Sequence, residues 1–283
     1  MTKPENQQIL IFDDFTEQGN HAILHGFNLA KIFKREVTLV HIIHTVKKNN
    51  RADDEHFQKA DKILKDKALK LENEWSIPVR VLLSMENIFD RIDQLIDDHN
   101  GIIAVTGIHH EKEKKFFNAK NILKMFRNAR IPYVIADAPP VKELYKRIVL
   151  PVNYYIENKE KALWASYFGR FHSSEISILH TSFKDKGYRL LQENILKFTR
   201  QFFNEFSLNY LLYHMEKAPV SIDRYALIYA RDINAGMIIV MTTLEYAFDD
   251  YLFGPPEKKI MQEISGTPVM FINPRKDLYC MCD

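Results

Sequence analysis

The sequence predicts an α/β protein built from two doubly wound, five-stranded parallel sheets of Rossmann-like topology, the second an internal duplicate of the first. Three observations predict it: short apolar runs alternate with longer amphipathic stretches, the chain matches itself once at a nearly constant offset, and paired prolines break it near the middle. In the first half the apolar runs are Ile9–Phe12, Val37–Ile43, Val79–Leu83, Ile102–Val105 and Tyr133–Ala136, all nearly continuous in Val, Ile and Leu. Continuous rather than alternating apolarity suits strands covered on both faces, as in a parallel sheet. Between them, Phe57, Ile63, Leu64, Ala68 and Leu71, then Ile88, Phe89, Ile92, Leu95 and Ile96, recur at helical spacing. Strand and helix in alternation force parallel pairing with right-handed crossovers and helices on both faces.

The second half gives the same series: Ile148–Val152, Ile176–His180, Leu208–His214, Met237–Met241 and Val269–Ile272. An offset of 139 residues carries Ile9 onto Ile148, Leu24 onto Leu163, Glu36 onto Glu175 and His41 onto His180. Gly101-Ile102-Ile103-Ala104-Val105 then matches Gly236-Met237-Ile238-Ile239-Val240, and Ile131–Ile135 matches Thr267–Phe271. Matched blocks in one order with a whole-domain period read as duplication rather than as a solenoid. The join, Asp137–Lys146, contains Pro139-Pro140, which ends the last strand and sets the boundary. The expected domains are 1–140 and 141–275, with a tail at 276–283.

Composition narrows the function classes. A hydrophobic fraction of 46%, a charged fraction of 27% and a net charge of +2 over 283 residues are those of a globular protein with no basic excess for nucleic acid. Acidic and basic residues interleave, as in Arg51–Lys70, which reads as a solvated helix face. No apolar run approaches the ~20 residues that span a bilayer, and the polar N-terminus lacks a signal-peptide core. The two cysteines, Cys280 and Cys282, sit at the very end and are expected to form an exposed terminus rather than a metal or redox site. A cytoplasmic setting, with no nucleic acid and no membrane as partner, is the expectation.

In sheets of this kind ligands occupy the crevice beyond the carboxyl ends of the strands, where strand order reverses. The residues there are Asp13 and Asp14, Ile42–His44 and Thr106–His110 in the first copy, and Val152 and Asn153, His180 and Thr181, and Thr242–Glu245 in the second. The turn Asp14-Phe15-Thr16-Glu17, the strand Leu39-Val40-His41-Ile42-Ile43, the loop Gly107-x-His109 and the strand Arg130–Ile135 together resemble the universal stress protein family. Val149–Asn153, Leu179-His180, Phe253-Gly254-Pro255 and Thr267-Pro268-Val269 repeat the likeness in the second copy, so it covers essentially the whole chain, twice. The resemblance implies an adenine nucleotide alpha hydrolase-like fold and a cytoplasmic stress-response domain, dimeric or tandem, some of whose relatives bind ATP. It also implies that the two domains pair inside this chain through their last strands, with a further homodimer and an unidentified protein partner left open.

In the ATP-binding members the loop after strand four resembles G-x2-G-x9-G-[ST]. Glycines let the backbone approach the phosphates, and a helix N-terminus adds favourable charge. Here Gly107 fits the first position, His110 stands at the second, and the third falls on Ala119 or Lys120; no glycine follows until Gly169. In the second copy Thr242 and Glu245 stand at the first two positions, Gly254 keeps the third, and Pro255 removes a backbone N–H. Asn153 replaces the acidic residue that the resemblance places near the nucleoside, so the second copy is expected not to bind ATP.

Two readings of the first copy follow. In the favoured one, Glu111-Lys112-Glu113-Lys114-Lys115 is a solvated loop, the site is degenerate, no cofactor is held, and the chain is a non-catalytic binding and signalling module. In the alternative, an ATP sensor, Asp14, Ile42, Gly107, His110 and Lys120 hold an adenine nucleotide, with lysines as point charges. His109-His110 is not expected to bind metal, since adjacent residues need a third ligand at suitable spacing. Asp13 and Asp14, as consecutive strand residues, are expected to face opposite ways, and His41 and His180 to pack and hydrogen-bond within the fold. The aromatic residues Trp164, Tyr167, Phe168, Phe171, Phe198, Phe202, Phe203 and Phe206 are expected in the core. No G-x-S-x-G, G-x4-G-K-[ST] or G-x-G-x-x-G motif occurs, and no nucleophile–base pair is expected at the strand ends.

Overall fold

Each apolar run becomes a strand in the computed structural model, which describes residues 7–43, 51–84, 88–110, 115–141, 144–215, 221–243 and 255–274, the side chains of 51–54 excepted. The chain divides into two compact units, Met1–Pro139 and Pro140–Asp283.

Unit 1 runs β1 (Gln8–Phe12), α1 (Glu17–Phe33), β2 (Glu36–Ile42), α2 (Arg51–Trp75), β3 (Val79–Ser84), α3 (Ile88–Asp98), β4 (Gly101–Gly107), α4 (Ala119–Phe126) and β5 (Tyr133–Ala136). Its strands lie in the order β3-β2-β1-β4-β5. All the pairs are parallel, with Ile9 beside Val37 and Ile103, Thr38 beside Arg80, and Val105 beside Val134. Ile9, Leu10, Ile11 and Phe12 are fully buried, as a central strand covered on both faces must be. The order reverses between β1 and β4, which makes their carboxyl ends the switch point.

Unit 2 repeats the plan: β6 (Arg147–Val152), α5 (Asn158–His172), β7 (Glu175–Thr181), α6 (Lys186–Glu205), β8 (Tyr210–Met215), α7 (Ile222–Asp232), β9 (Met237–Met241), α8 (Pro256–Glu263) and β10 (Val269–Ile272). Its order is β10-β9-β6-β7-β8, again parallel throughout, and its switch point lies between β6 and β9. The duplication extends to the turns. Left-handed residues recur in pairs, Lys34 with Ser173, Ser76 with Ser207 and Asn100 with Asn234, each closing a helix or entering a strand at the equivalent place.

Helix faces differ from expectation at two places. In α2 Leu64, Ala68 and Leu71 are buried, but Ile63 is 41% exposed and Ala60 takes its place on the inner stripe. Of the aromatic residues expected in the core of unit 2, Phe168 and Phe203 are fully buried, whereas Phe171 and Phe206 are exposed and flank the Arg170 guanidinium. A cation over each ring lets these two remain at the surface. Among the described residues no helix is long and apolar enough to cross a membrane.

Candidate functional site: two strand-end crevices

The crevice of unit 1 begins where β1 stops at Phe12, so the alternation of side chains stops there too. Asp13 and Asp14 consequently do not face opposite ways. Asp13 Oδ1 accepts from the Phe15 amide at 3.0 Å and Asp14 Oδ1 from the Thr16 amide at 3.2 Å, two successive carboxylate turns. They hold Phe15 at φ 61°, a conformation unusual for an aromatic residue. Both carboxylates converge on the first turn of α1, so that a Cβ on Gly19 would meet Asp13 Oδ1 at 2.5 Å and Asp14 Oδ1 at 2.8 Å. Carboxylates beside a helix N-terminus are electrostatically favoured, and Thr16 caps the same helix by accepting from the Gly19 amide.

Each carboxylate then meets a cation or an imidazole. Asp14 Oδ2 lies 2.6 Å from His109 Nε2, and Asp14 Oδ1 also accepts from the Thr16 hydroxyl at 2.5 Å. Asp13, fully buried, accepts at Oδ2 from Lys67 Nζ at 2.7 Å, and the same ammonium donates to Asn20 Oδ1 at 2.8 Å. Phe15 lies flat on His41, with ring centroids 4.0 Å apart and planes at 14°, and His41 Nδ1 donates to the Asp13 carbonyl at 2.7 Å. Burial lowers the His41 pKa despite this bond, which leaves the ring neutral.

Just beyond β4 the chain bonds back to the segment before α4. The His109 amide donates to the Phe117 carbonyl at 2.8 Å, and His109 bridges Asn118. Asn118 caps α4 by accepting from the Asn121 amide at 3.1 Å, so this helix N-terminus carries a side-chain cap of its own. Ala119, at the third glycine position, is the buried first residue of α4, while His110 and Lys120 are exposed. Ile42 is buried at the end of β2. Gly107 has a packing reason to lack a side chain, because a Cβ there would lie 2.2 Å from the Gln18 carbonyl oxygen. The expected site residues thus divide: Asp14 and Gly107 meet the first turn of α1, Ile42 is buried, and His110 and Lys120 are exposed. Lys112 and Lys114 lie outside the described residues.

At the switch point of unit 2 the side chains differ but again bond to one another. Asn153 Oδ1 accepts from the Tyr155 amide at 2.9 Å and from Asn158 Nδ2 at 2.5 Å. Lys161 is buried and donates to the Pro151 carbonyl; burial pulls its pKa from 10.5 down to about 8, with nearby Asp223 acting the other way. Burial pushes the Asp223 and Glu257 carboxyls up, and Glu257 accepts from the Thr243 amide, tying the end of β9 to the start of α8. Pro255 stands at the N-cap of α8, and Pro256 is its first residue. Glu245, Phe253, Gly254, Cys280 and Cys282 lie outside the described residues.

Sequence reasoning missed Lys67, Lys161, Asp223, Glu257 and the pairing of Ser182 with His214. A signal was present for the lysines. Ala60, Leu64, Lys67 and Leu71 are spaced as one stripe, and so are Lys161, Ala165 and Phe168, so each lysine interrupts a buried face. His180 also departs from expectation: the His41 ring makes its hydrogen bond, but no bond to the His180 ring is found among the described residues. Its ring lies 5.0 Å from that of His214, whose Nε2 is 2.7 Å from the Ser182 hydroxyl. Burial, then the neighbouring imidazole, lowers the His180 pKa. A hydroxyl–imidazole pair therefore does exist at the strand ends, contrary to expectation. Among the described residues no group of three or more His, Cys, Asp or Glu could hold a metal ion.

The class defined by this architecture is a tandem doubly wound α/β protein whose switch points are lined by mutually bonded side chains. Its fold is that of the universal stress proteins. A universal stress protein from Archaeoglobus fulgidus superposes over 97% of this chain and 100% of its own, with a TM-score of 0.74 at 17% identity. A Pseudomonas aeruginosa UCBPP-PA14 structure described as a universal stress protein covers 97% of this chain and 95% of its own, with a TM-score of 0.62 at 13% identity. A functionally unknown protein from Pseudomonas aeruginosa PAO1 covers 98% and 96%, with a TM-score of 0.61 at 11% identity. No family model and no curated protein matches the chain. Identities this low make the likeness one of fold.

Proposed function

We propose that the chain is a universal stress-type protein that acts by binding and conformational signalling in the stress response, with degenerate nucleotide crevices in both halves. The reading is carried by Asp14, at the position that the family resemblance places near a nucleoside. Both of its oxygens are already bonded, Oδ1 to Thr16 and Oδ2 to His109 at 2.6 Å. Phe15 stacked on His41 and the Asn118 cap on α4 support it in unit 1. Asn153 and the buried Lys161 support it in unit 2. The same reading places the protein in the cytoplasm, with its two halves working as an internal pair.

Two measurements test it. Mass spectrometry of the denatured, freshly purified protein is expected to find no stoichiometric nucleotide. Melting with Mg-ATP is expected to show no shift, whereas a ligand at a hundredfold its Kd adds about 2.7 kcal/mol and raises Tm by several degrees. A co-purified adenine nucleotide, or such a rise abolished by Asp14→Ala, establishes the alternative ATP sensor of unit 1.

A further inference from the structure

The two halves treat one equivalent histidine in opposite ways. In unit 1 His41 is fully employed: Nδ1 bonds the Asp13 carbonyl, Phe15 covers its face, and its register partner on β3 is Leu83. In unit 2 each of these three arrangements has changed. Tyr154, the counterpart of Phe15, stacks on Tyr188 of α6, with centroids 4.2 Å apart and planes at 13°, and its hydroxyl donates to that of Tyr155. No hydrogen bond to the His180 imidazole is found among the described residues. Its register partner on β8 is His214 instead of leucine.

Register partners on adjacent parallel strands project from the same side of the sheet, about 4.8 Å apart along the hydrogen-bonding direction. His180 and His214 accordingly bring their ring centroids to 5.0 Å, with planes at 55°. Ser182 adds a hydroxyl 2.7 Å from His214 Nε2. His180 is half-buried, while His214 and Ser182 are open to solvent. The two imidazoles thus lie side by side, one half-buried and one at the solvent-exposed edge strand. We propose that His180 and His214 chelate a divalent transition-metal ion of the class that imidazole favours, Zn²⁺ or Cu²⁺, with the Ser182 hydroxyl beside it. Two protein nitrogens, each about 2.0–2.1 Å from the ion, are fewer than the three of an open catalytic zinc site or the four of a closed structural one, so water would fill the remaining positions. The ion would tie the edge strand β8 to β7 at the carboxyl end of the sheet, in the half whose crevice is not read as a nucleotide site.

The test uses the full chain stripped of metal, with Cys280→Ser and Cys282→Ser to remove thiol competition. Zn²⁺ titrated calorimetrically is expected to bind with one-to-one stoichiometry, and bound Cu²⁺ to show splitting from two nitrogens in its electron paramagnetic resonance spectrum. His180→Ala and His214→Ala are each expected to weaken binding at least tenfold. His214→Leu, which restores the pairing of unit 1 on a half-exposed strand, is expected to weaken it equally, with an unchanged melting temperature without metal. His99→Ala is the control and is expected to change nothing. Binding that survives all three site substitutions, a single-nitrogen spectrum, or a parent chain that retains no ion overturns the proposal.

Discussion

Gly107 separates a packing role from a phosphate-binding one, and Gly107→Ala tests which it serves. A methyl group there would lie 2.2 Å from the Gln18 carbonyl oxygen, 2.5 Å from its carbon and 2.8 Å from its Cβ. Carbon contacts are comfortable at about 3.5–4.0 Å, so the first turn of α1 would have to retreat by roughly 1 Å. That turn is fixed by the Thr16 cap and by Asp13 and Asp14. Overpacking against a backbone that cannot give costs about 1–3 kcal/mol. Gly107 is not in a left-handed conformation, so alanine brings no dihedral strain. Its smaller unfolded-state entropy returns about 0.4–1 kcal/mol. The net loss is therefore up to about 2.6 kcal/mol, and because the two nearest atoms are backbone the upper half of that range is expected, a fall of roughly 4–10 °C in the melting of a unit of this size. Differential scanning calorimetry measures it. Gln18→Ala in the same background is expected not to rescue, because the nearest atoms are backbone, while Gly187→Ala on α6, facing only Asp185 Oδ1 at 3.1 Å, is expected not to destabilise. A Gly107→Ala protein that melts with its parent refutes the argument.

Buried His25, whose Nε2 donates to the Ala138 carbonyl, has its pKa lowered by burial to about 4. Between about pH 4 and 6.5 the unfolded chain binds a proton that the folded chain does not, so this contribution falls as pH falls, by on the order of 3 kcal/mol in all. Urea midpoints across that window are expected to be steeper for the parent than for His25→Gln, and coincident slopes would refute the assignment. At the helix caps, Asn118→Ala is expected to cost about 1 kcal/mol, and Thr16→Ala more, since Thr16 also donates to Asp14; equal urea-derived losses would contradict the ranking. On α2, Leu64→Ala is expected to cost about 2–5 kcal/mol and its exposed neighbour Ile63→Ala less than about 0.5 kcal/mol, and a reversal in denaturant melts would place the helix face wrongly.

The strands were legible because a strand buried on both faces must be apolar without a break, as Ile9–Phe12 and Ile148–Val152 are. The duplication was legible because strand entries and helix exits recur at matched positions. The lining of the crevices was less legible, for a local reason. The alternation that assigns side chains to faces ends with the strand, so Asp13 and Asp14 came together where a continued strand would have separated them. Lys67 and Lys161 were hidden for another reason: a single lysine on a mixed-charge helix resembles solvated surface until its stripe is traced through Leu64 and Leu71, or through Ala165 and Phe168. The pairing of His214 with His180 depended on the register between β7 and β8, which no periodicity within either strand specifies.

The same physical solution appears at both switch points from different residues. In unit 1 a lysine from the second helix reaches Asp13 while His109 meets Asp14. In unit 2 a lysine from the first helix lies buried with Asp223 as its nearby charge and donates to the Pro151 carbonyl. Groups taken out of water at these positions need partners, because a buried charge left alone is far more costly than a paired one. This bears on the nucleotide question quantitatively. A nucleoside entering the crevice at Asp14 meets a carboxylate already bonded to His109. Separating the two breaks a hydrogen bond to a carboxylate, at a cost of about 1.5–3 kcal/mol. Each 1.4 kcal/mol is tenfold in Kd, so a ligand that displaced this pair would bind roughly one to two powers of ten more weakly than the same contacts would give in an open crevice.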